Sequence, residues 1–259
     1  MESFLQAALS AARESAELIR GYYRGEFSVE IKPDQSPVTV ADREAEALIR
    51  SQLLTAFPEH GFYGEETGQT GAGADYLWLV DPIDGTKSFV AGYGMFSTQI
   101  ALMHKGELVL GVSSAPAHDE LAWAVRGQGA NMPGQALHVS ATRTLADATI
   151  STGNLRSLAL SRRWAALGHI MARANRTRGY GDYYHYHRLA AGQLDAVIES
   201  DVNILDIAAL AVIVREAGGE FTDLLGRSPD LGTTSVLAAP PQLHAILLDL
   251  LNAEASNES

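Results

Sequence analysis

Two acidic residues three positions apart stand directly after an apolar run. The segment DPIDGTKSF, residues 81–89, follows five residues of largely apolar character, 76–80. Asp81 and Asp84 therefore lie at the end of a predicted buried strand. Like charges this close repel each other, and burial strengthens the repulsion. Either the loop is a solvated turn, or a positive group lies between the two side chains. A hard cation such as Mg²⁺, which prefers oxygen ligands, fits the second arrangement.

Acidic residues also occur at three other places beside predicted element boundaries: Glu65 and Glu66 in YGEETG, Asp206 in NILDIAALAVIVREAGG, and Asp42 in VTVAD. Taken singly, each has a structural explanation. Asp42 could form a capping box with Thr39, and Asp206 could stabilise the positive end of a helix. The two glutamates could be solvated loop charges, and Asp84 with Gly85 is a common turn pair. A single metal site accounts for these acidic residues together better than the separate structural explanations do.

Other chemistries have less support in the sequence. A calcium loop of the EF-hand type needs acids at alternating positions, and the step from Asp81 to Asp84 does not match it. The chain contains neither a GxSxG elbow nor a Walker A motif. His185 and His187 are two residues apart, which does not place them on one face of a helix. The Gly-rich segment RGQGANMPGQ joins predicted strands and lacks the strand-then-helix context of a dinucleotide site.

The overall charge limits the possible ligands. The chain of 259 residues has a formal net charge of −12 and no dense cluster of basic residues. This argues against a nucleic-acid partner bound through a basic face. An anionic phosphate would also be repelled unless bound cations reversed the local sign. With no cysteine, the chain cannot form a disulfide or a thiolate metal site.

The elements that must position these acids fall into two patterns. Amphipathic periodicity predicts helices over 3–23, 42–56, 158–174, 183–192, 206–217 and 240–253, the first with a capping box of Ser3 and Gln6. Alternating or apolar runs predict strands over 76–80, 96–103, 107–113, 121–125, 147–151, 194–199 and 234–238, with a hairpin turn at Lys105-Gly106. Residues 1–140 therefore form an α+β half, and residues 141–259 form an α/β half.

The order of the acidic blocks resembles a known family. GEE, then WLVDPIDGTKSF, then LDIAALAVIVREAGG is similar to the pattern of the inositol monophosphatase superfamily of Mg²⁺-dependent phosphatases, and the likeness extends to the leading VTVAD block. The resemblance implies an α/β (α+β) fold, a layered αβαβα sandwich, that assembles as a homodimer. It also implies two or three Mg²⁺ ions per active site.

Matching the motifs residue by residue implies a set of roles. The metal ligands would be Glu65, Asp81, the backbone carbonyl of Ile83, Asp84 and Asp206, most of them in the first half and the last in the second. Asp42 and Thr86 match the pair that activates the attacking water, with Glu65 also counted as catalytic. Gly85 and Thr86 match phosphate-binding positions, and Glu199 and Asp206 match substrate-contacting acids. Leu205 and Leu210 depart from the family's usual Trp and Gly, which changes the packing beside the substrate pocket.

The blocks DGTKSF and RGYGDYYHY resemble the histidinol-phosphate phosphatase branch. Histidinol phosphate carries an amine and an imidazole, so acids facing them make electrostatic sense, with Asp182, Glu199 and Asp201 as candidates. The alternatives are an inositol or other sugar monophosphatase, a nucleotide 3′-phosphatase and a non-catalytic phosphate- or metal-binding module. The N-terminus lacks the apolar centre of a signal peptide, and no stretch approaches the ~20 apolar residues of a membrane span. These features predict a cytoplasmic enzyme without a membrane partner.

Overall fold

The computed structural model describes residues 1–23, 25, 28–31, 37–71 and 73–253. Within these ranges the helices are α1 (Glu2–Tyr22), α2 (Val40–Ala56), α3 (Thr86–Ala91), α4 (Arg156–Ala159), α5 (Arg163–Arg173), α6 (Asp182–Ala190), α7 (Ile204–Glu216) and α8 (Pro241–Asn252). A 3₁₀ turn spans Leu145–Asp147. None of the helices in this part of the chain combines the length and apolarity that crossing a membrane requires.

The strands divide between two large sheets and one short ribbon. They are β1 (Val29–Ile31), β2 (Pro37–Thr39), β3 (Gly61–Gly64), β4 (Gly68–Thr70), β5 (Tyr76–Asp84), β6 (Ser97–His104), β7 (Glu107–Ala115), β8 (Glu120–Val125), β9 (Ala130–Met132), β10 (Gln135–Leu137), β11 (Thr149–Thr152), β12 (Arg176–Arg178), β13 (Ala196–Ser200), β14 (Glu220–Thr222) and β15 (Ser235–Ala239). The ribbon is the antiparallel pair β1 and β2. All seven predicted strands are confirmed within a few residues.

The chain forms two compact units, and the first comprises residues 1–135 and 205–213. Its sheet has the strand order β10-β9-β8-β7-β6-β5-β3-β4. Among the pairings recorded, β3 runs parallel to β5 and the others are antiparallel. Apolar side chains of α1 and α2 pack with those of the central strands in one core. The sheet thus presents the end of β5, where Asp81 and Asp84 lie, at a fixed edge of this core.

The second unit comprises residues 136–204 and 214–259. Its sheet has the order β12-β11-β13-β15-β14, with β11 parallel to both of its neighbours and β15 antiparallel to both of its own. Helices α5 and α8 pack on this sheet through Leu167, Ile170, Leu243 and Leu247, all of them buried. The mixed strand directions agree with the helix–strand alternation of the sequence.

Helix α7 brings a late part of the chain into the first unit. Every side chain from 207 to 214 is buried, so this helix is covered on all sides. It packs directly on β7, because a Cβ atom on Gly111 would lie 2.3 Å from the Ala209 carbonyl oxygen. Only glycine permits this close approach. The division therefore differs from the predicted one at residue 140, since 205–213 group with the first unit although they lie late in the sequence.

Two local predictions were wrong. The predicted helix over 158–174 is interrupted, because Ser161 Oγ donates to the Leu158 carbonyl at 2.8 Å and accepts the Arg163 N–H at 3.1 Å. Such local bonds compete with a continuous helix. Helix α1 begins at Glu2 with no side-chain cap, so Ser3 and Gln6 form no capping box. Gln6 instead donates to Glu2 Oε1 at 2.8 Å.

Candidate metal and phosphate site

The strand that carries Asp81 and Asp84 is irregular where those residues lie. Asp81 lies opposite Gln99 of β6, and Asp84 lies opposite Ser97, so β5 has one extra residue between these pairs. This extra residue is a β-bulge, which re-aims side chains at the end of a strand. Pro82 stands within it, where the missing N–H of proline removes no regular ladder bond. The apolar side chain of Ile83 is buried with Phe89 and Phe96.

Three carboxylates converge at this bulge. Asp81, Asp84 and Asp206 each offer an oxygen atom, and the three atoms all lie within 4.8 Å of one another. Asp81 is only 3% exposed and accepts the Ile83 N–H at 2.9 Å through Oδ1. Burial raises the pKa of Asp81 well above its ordinary value, and the charges of Glu65, Asp206, Asp84 and Asp42 raise it further. The first turn of α7 supplies Asp206, as the sequence predicted.

Glu65 lies in the turn between β3 and β4, outside that group of three oxygens. Its charge still contributes to the raised pKa of Asp81. The turn is held by a buried carboxylate, Glu46 of α2. Glu46 accepts the Glu66 N–H at 2.7 Å and the Thr67 N–H at 2.9 Å, one on each oxygen. Gly64 leaves the room for it, because a Cβ atom there would lie 2.5 Å from Glu46 Cδ.

Asp42 forms the capping box with Thr39 and also contacts Thr86. Asp42 Oδ2 accepts the Thr39 N–H at 2.7 Å and the Thr39 hydroxyl at 2.5 Å. Its other oxygen, Oδ1, lies 3.3 Å from Thr86 Oγ1. Burial raises the pKa of Asp42, and the charge of Glu65 adds to the rise against the lowering effect of the Thr39 bonds. The capping role and the contact with Thr86 therefore coexist, one on each oxygen.

Gly85 joins the bulge to α3 in the left-handed backbone region. Its φ is +86°, and a Cβ atom there would lie 2.5 Å from the Met95 carbonyl oxygen. Both facts require glycine at this position. Thr86 begins α3 immediately after it, and the Thr86 hydroxyl lies 3.0 Å from the Ile83 carbonyl oxygen. This short connection places Gly85 and Thr86 directly after Asp84, one of the three converging carboxylates.

In the second unit, Glu199 of β13 is buried among donors. Its Oε2 accepts the Tyr186 hydroxyl at 2.7 Å and lies 3.2 Å from His185 Nε2, while Oε1 accepts the Asn154 N–H at 3.2 Å. Burial opposes ionisation of Glu199, but the charge of His185 and these hydrogen bonds outweigh it, so the pKa of Glu199 is lowered. A Cβ atom on Gly153 would lie 1.8 Å from Glu199 Oε1. Glu199 is thus a fixed, charged carboxylate.

Asp182 and Asp201 have different environments. Asp182 begins α6 with φ of +48°, and burial followed by the charge of Glu199 raises the pKa of Asp182 to about 6. Asp201 is exposed, and it accepts the Ser157 N–H at 2.9 Å as well as the Ser157 hydroxyl. These bonds to the start of α4 lower the pKa of Asp201. They indicate a structural role for Asp201, whereas the partly buried Asp182 and the buried Glu199 are near enough for their charges to interact.

The donor set of the first unit fits a divalent cation. Three carboxylate oxygens within 4.8 Å are hard ligands of the kind that Mg²⁺ prefers. A buried carboxyl whose pKa is raised by burial and by four neighbouring acids is costly to ionise without a cation, and a bound cation reverses that cost. The three predicted ligands Asp81, Asp84 and Asp206 are therefore brought together by the fold.

Sequence reasoning missed Glu46, Ser97 and Gln99. Glu46 lies four residues after Asp42, so both acids share one face of α2, and this spacing was a usable signal. Ser97 Oγ lies 3.3 Å from Asp84 Oδ2, and Gln99 Nε2 donates to Ser97 Oγ at 2.7 Å. Nothing in the sequence marks these two polar residues, which lie within a predicted strand.

Comparison with known proteins gives one family. A model described as the inositol monophosphatase family matches residues 1–257. A histidinol-phosphatase of Streptomyces coelicolor is 39% identical over 258 residues, 96% of each chain. An inositol-1-monophosphatase of Rhizobium meliloti is 34% identical, over 97% of this chain and 94% of the relative. The crystal structure of the extragenic suppressor protein suhB from Bartonella henselae matches with a TM-score of 0.87 and 32% identity, over 96% of this chain and 98% of that one.

Proposed function

Because the chain belongs to the inositol monophosphatase family, a family of metal-dependent phosphatases with the predicted fold, we propose that it hydrolyses L-histidinol phosphate to L-histidinol and phosphate with Mg²⁺. The reaction would serve histidine biosynthesis. The observation that carries the phosphatase part is the group of three carboxylate oxygens of Asp81, Asp84 and Asp206. The partly buried Asp182 and the buried Glu199, whose charges interact, support the choice of a cationic substrate. The identity to a histidinol-phosphatase points in the same direction.

The proposed ligands of two or three Mg²⁺ ions are Glu65, Asp81, the Ile83 carbonyl, Asp84 and Asp206. When bound, Mg²⁺ supplies charge that offsets the phosphoryl oxygens and lowers the pKa of a water molecule. Glu46 supports this set indirectly, because it fixes the turn that carries Glu65. Gly85 and Thr86 are proposed to hold the phosphate through backbone N–H groups, which the first turn of a helix leaves without internal acceptors.

Asp42 and Thr86 are proposed to orient the attacking water and accept its proton. The Thr86 hydroxyl has one proton and two acceptors within reach, Asp42 Oδ1 at 3.3 Å and the Ile83 carbonyl at 3.0 Å. When that proton points to Asp42, the hydroxyl oxygen is open to accept a hydrogen bond from water. The raised pKa of Asp42 suits a group that takes up a proton during turnover.

The leaving group determines the substrate class. L-Histidinol carries an ammonium group and an imidazole, and we assign the ammonium group to Asp182 and Glu199. Glu199 is already held by Tyr186, His185 and the Asn154 N–H, so it contributes charge from a fixed position. The charge of Asp182 changes near neutral pH, because its pKa is raised to about 6. A neutral polyol would gain less from this pair than a cation does.

An inositol-1-phosphatase, or another sugar or nucleotide 3′-phosphate monoesterase, is the second candidate. The 34% identity to an inositol-1-monophosphatase is the observation that favours it. The difference lies in the leaving group, because both candidates use the same carboxylate cluster. We also propose that the protein is a homodimer and that it acts in the cytoplasm. Sedimentation analysis of the purified chain would test the dimer.

A substrate panel with Mg²⁺ tests the proposal. Phosphate release is measured from histidinol phosphate, inositol 1-phosphate and adenosine 3′,5′-bisphosphate, with Asp84→Asn as the control for contaminating phosphatases. We expect kcat/KM for histidinol phosphate to exceed the other two by at least about tenfold. A preference for inositol 1-phosphate would show that the proposed substrate is wrong but would leave the assignment as a phosphatase intact. No release from any of the three would overturn the enzyme assignment.

A further inference from the structure

Three consecutive residues of β6 contact the bulge that carries the aspartates. Ser97 lies opposite Asp84 and Gln99 lies opposite Asp81 in the strand pairing. Between them, Thr98 Oγ1 donates to the Pro82 carbonyl at 2.9 Å. All three β6 side chains are at most 1% exposed. Buried polar side chains are uncommon in the middle of a sheet, so their position beside Asp81 and Asp84 calls for an explanation.

The hydrogen bonds among these residues have a defined direction. Gln99 Nε2 lies 2.7 Å from Ser97 Oγ and 3.0 Å from Ser113 Oγ, so the amide donates one proton to each hydroxyl oxygen. Ser97 is then an acceptor toward Gln99, and its single proton is left for another acceptor. Asp84 Oδ2 lies 3.3 Å from Ser97 Oγ and accepts a hydrogen bond from this hydroxyl. The amide thus orients the hydroxyl, and the hydroxyl presents a donor to the carboxylate.

The oxygen atom of the Gln99 amide lacks a hydrogen bond in the described part of the chain, which lowers the stability of the fold. Gln99 Oε1 is buried and has no hydrogen-bond partner among the described residues. Turning the amide over would let Oε1 accept both serine protons, but Ser97 would then have no proton for Asp84. A fully apolar side chain would avoid the buried, unsatisfied oxygen altogether. Gln99 therefore keeps the bond that orients Ser97 at a cost in stability that an apolar side chain of similar size would avoid.

We infer that Ser97 and Gln99 are positioning residues for the metal site: Gln99 orients the Ser97 hydroxyl, which holds the Asp84 carboxylate in the orientation that binds the cation. The inference rests on the proposed role of Asp84 as a ligand. Partners behind a ligating carboxylate commonly change metal affinity by about 10- to 100-fold when they are removed. Ser97 bonds Asp84 directly, whereas Gln99 acts through Ser97. Substitution of Ser97 should therefore weaken Mg²⁺ binding more than substitution of Gln99.

Calorimetric titration of Mg²⁺ into metal-free protein, without substrate, separates these roles from catalysis. We expect Ser97→Ala to weaken Mg²⁺ binding about tenfold and Gln99→Met, which keeps the volume, to weaken it about threefold. Ser15→Ala is the matched control: Ser15 is also fully buried, and its hydroxyl donates to the Ala12 carbonyl of α1 at 3.1 Å. We expect its Mg²⁺ dissociation constant to stay within about twofold of wild type, even if its melting temperature falls.

Asp84→Asn sets the benchmark for losing a ligand. If it binds Mg²⁺ as tightly as wild type, Asp84 is not a ligand and the proposed function fails at that residue. If Asp84→Asn weakens binding while Ser97→Ala and Gln99→Met both match Ser15→Ala, the metal site stands and the positioning roles are refuted. Melting temperatures of all four variants, recorded without Mg²⁺, identify any variant that fails to fold. Because Gln99→Met removes the unsatisfied oxygen, it remains a usable test if Ser97→Ala does not fold.

Discussion

The Thr86 hydroxyl lies 3.3 Å from Asp42 Oδ1, while the second oxygen of Asp42 is bound by Thr39. One carboxylate therefore caps a helix and also reaches the residue that begins the next short helix beyond the bulge. Helix α2 fixes Asp42, and the left-handed Gly85 fixes Thr86. The two side chains are held by two independent elements, which suits the water-orienting role that we propose for them.

Thr86→Ala tests whether this contact is catalytic. We expect kcat to fall by at least about 100-fold, because general base catalysis contributes a factor of that size. The melting temperature and the Mg²⁺ dissociation constant should stay close to those of wild type. Thr86→Ser keeps the hydroxyl and should retain most of the activity. A turn role would give the reverse pattern, with lower stability at near-normal kcat in the alanine variant.

Glu46→Gln tests the support of the turn that carries Glu65. The amide nitrogen of glutamine cannot accept, so one of the N–H groups of Glu66 and Thr67 loses its partner. We expect a loss of about 1–3 kcal/mol in the free energy of unfolding, together with weaker Mg²⁺ binding. Glu44→Gln is the control, because Glu44 is exposed on the same helix. Equal unfolding energies for the two variants would rule out the supporting role of Glu46.

Glu199→Gln tests how the substrate's ammonium group is held. We expect KM for histidinol phosphate to rise about tenfold or more, because a charge-assisted bond is replaced by a neutral one. KM for phenyl phosphate, which has no cationic group, should change far less. The variant will also lose stability, since Tyr186 and His185 bond the same oxygen of Glu199. An equal rise in KM for both esters would show that Glu199 does not recognise the ammonium group.

Asp182→Asn makes a pH-dependent prediction. Burial and the charge of Glu199 raise the pKa of Asp182 to about 6, so the side chain is charged above that pH and neutral below it. The asparagine variant should raise KM for histidinol phosphate at pH 7.5, and the ratio of variant to wild-type KM should shrink toward one at pH 5. Taking the ratio at each pH removes the titration of the substrate itself. A constant ratio would exclude Asp182 as the titrating contact.

The same raised pKa has a consequence for stability, with a definite sign. The folded state binds the proton of Asp182 more tightly than the unfolded state does, so ionising Asp182 destabilises the fold as pH rises through about 6. Asp182→Asn should therefore melt higher than wild type at pH 7.5. The difference should decrease as pH falls through 6. A variant that melts lower than wild type at pH 7.5 would contradict the buried-charge explanation.

The fold class and most helices and strands could be predicted because the patterns that indicate them involve only residues close together in the sequence. The apolar run before Asp81 and the 3.6-residue periodicity of α2 needed no tertiary knowledge. The strand that carries Asp81 was predicted to end at residue 80, yet β5 continues to Asp84. Its last residues pair only because a bulge accommodates Pro82, and a bulge depends on the partner strand.

The surroundings of the aspartates depend on contacts between distant parts of the chain. Asp206 reaches Asp81 because α7 packs on Gly111, a contact that no local pattern marks. Gln99 lies in a strand that was predicted from the pattern of the sequence alone, and that pattern does not reveal that its polar side chain is fully buried. The role that we propose for Gln99 rests on the direction of two hydrogen bonds. The break before helix α5 has a different, local cause, since the Ser161 hydroxyl bonds Leu158 in α4 and Arg163 at the start of α5.

The most direct test of the proposed chemistry is phosphate release from histidinol phosphate as a function of Mg²⁺ concentration, measured on metal-free enzyme and on Asp84→Asn. Three carboxylates within 4.8 Å in a chain of net charge −12 should bind phosphate productively only with cations present. We predict no release in excess chelator, saturable recovery with Mg²⁺, and a kcat for folded Asp84→Asn at least about 100-fold below wild type at saturating Mg²⁺. Full turnover by thoroughly metal-free enzyme, or near-normal kcat in the folded variant, would contradict the metal-dependent mechanism.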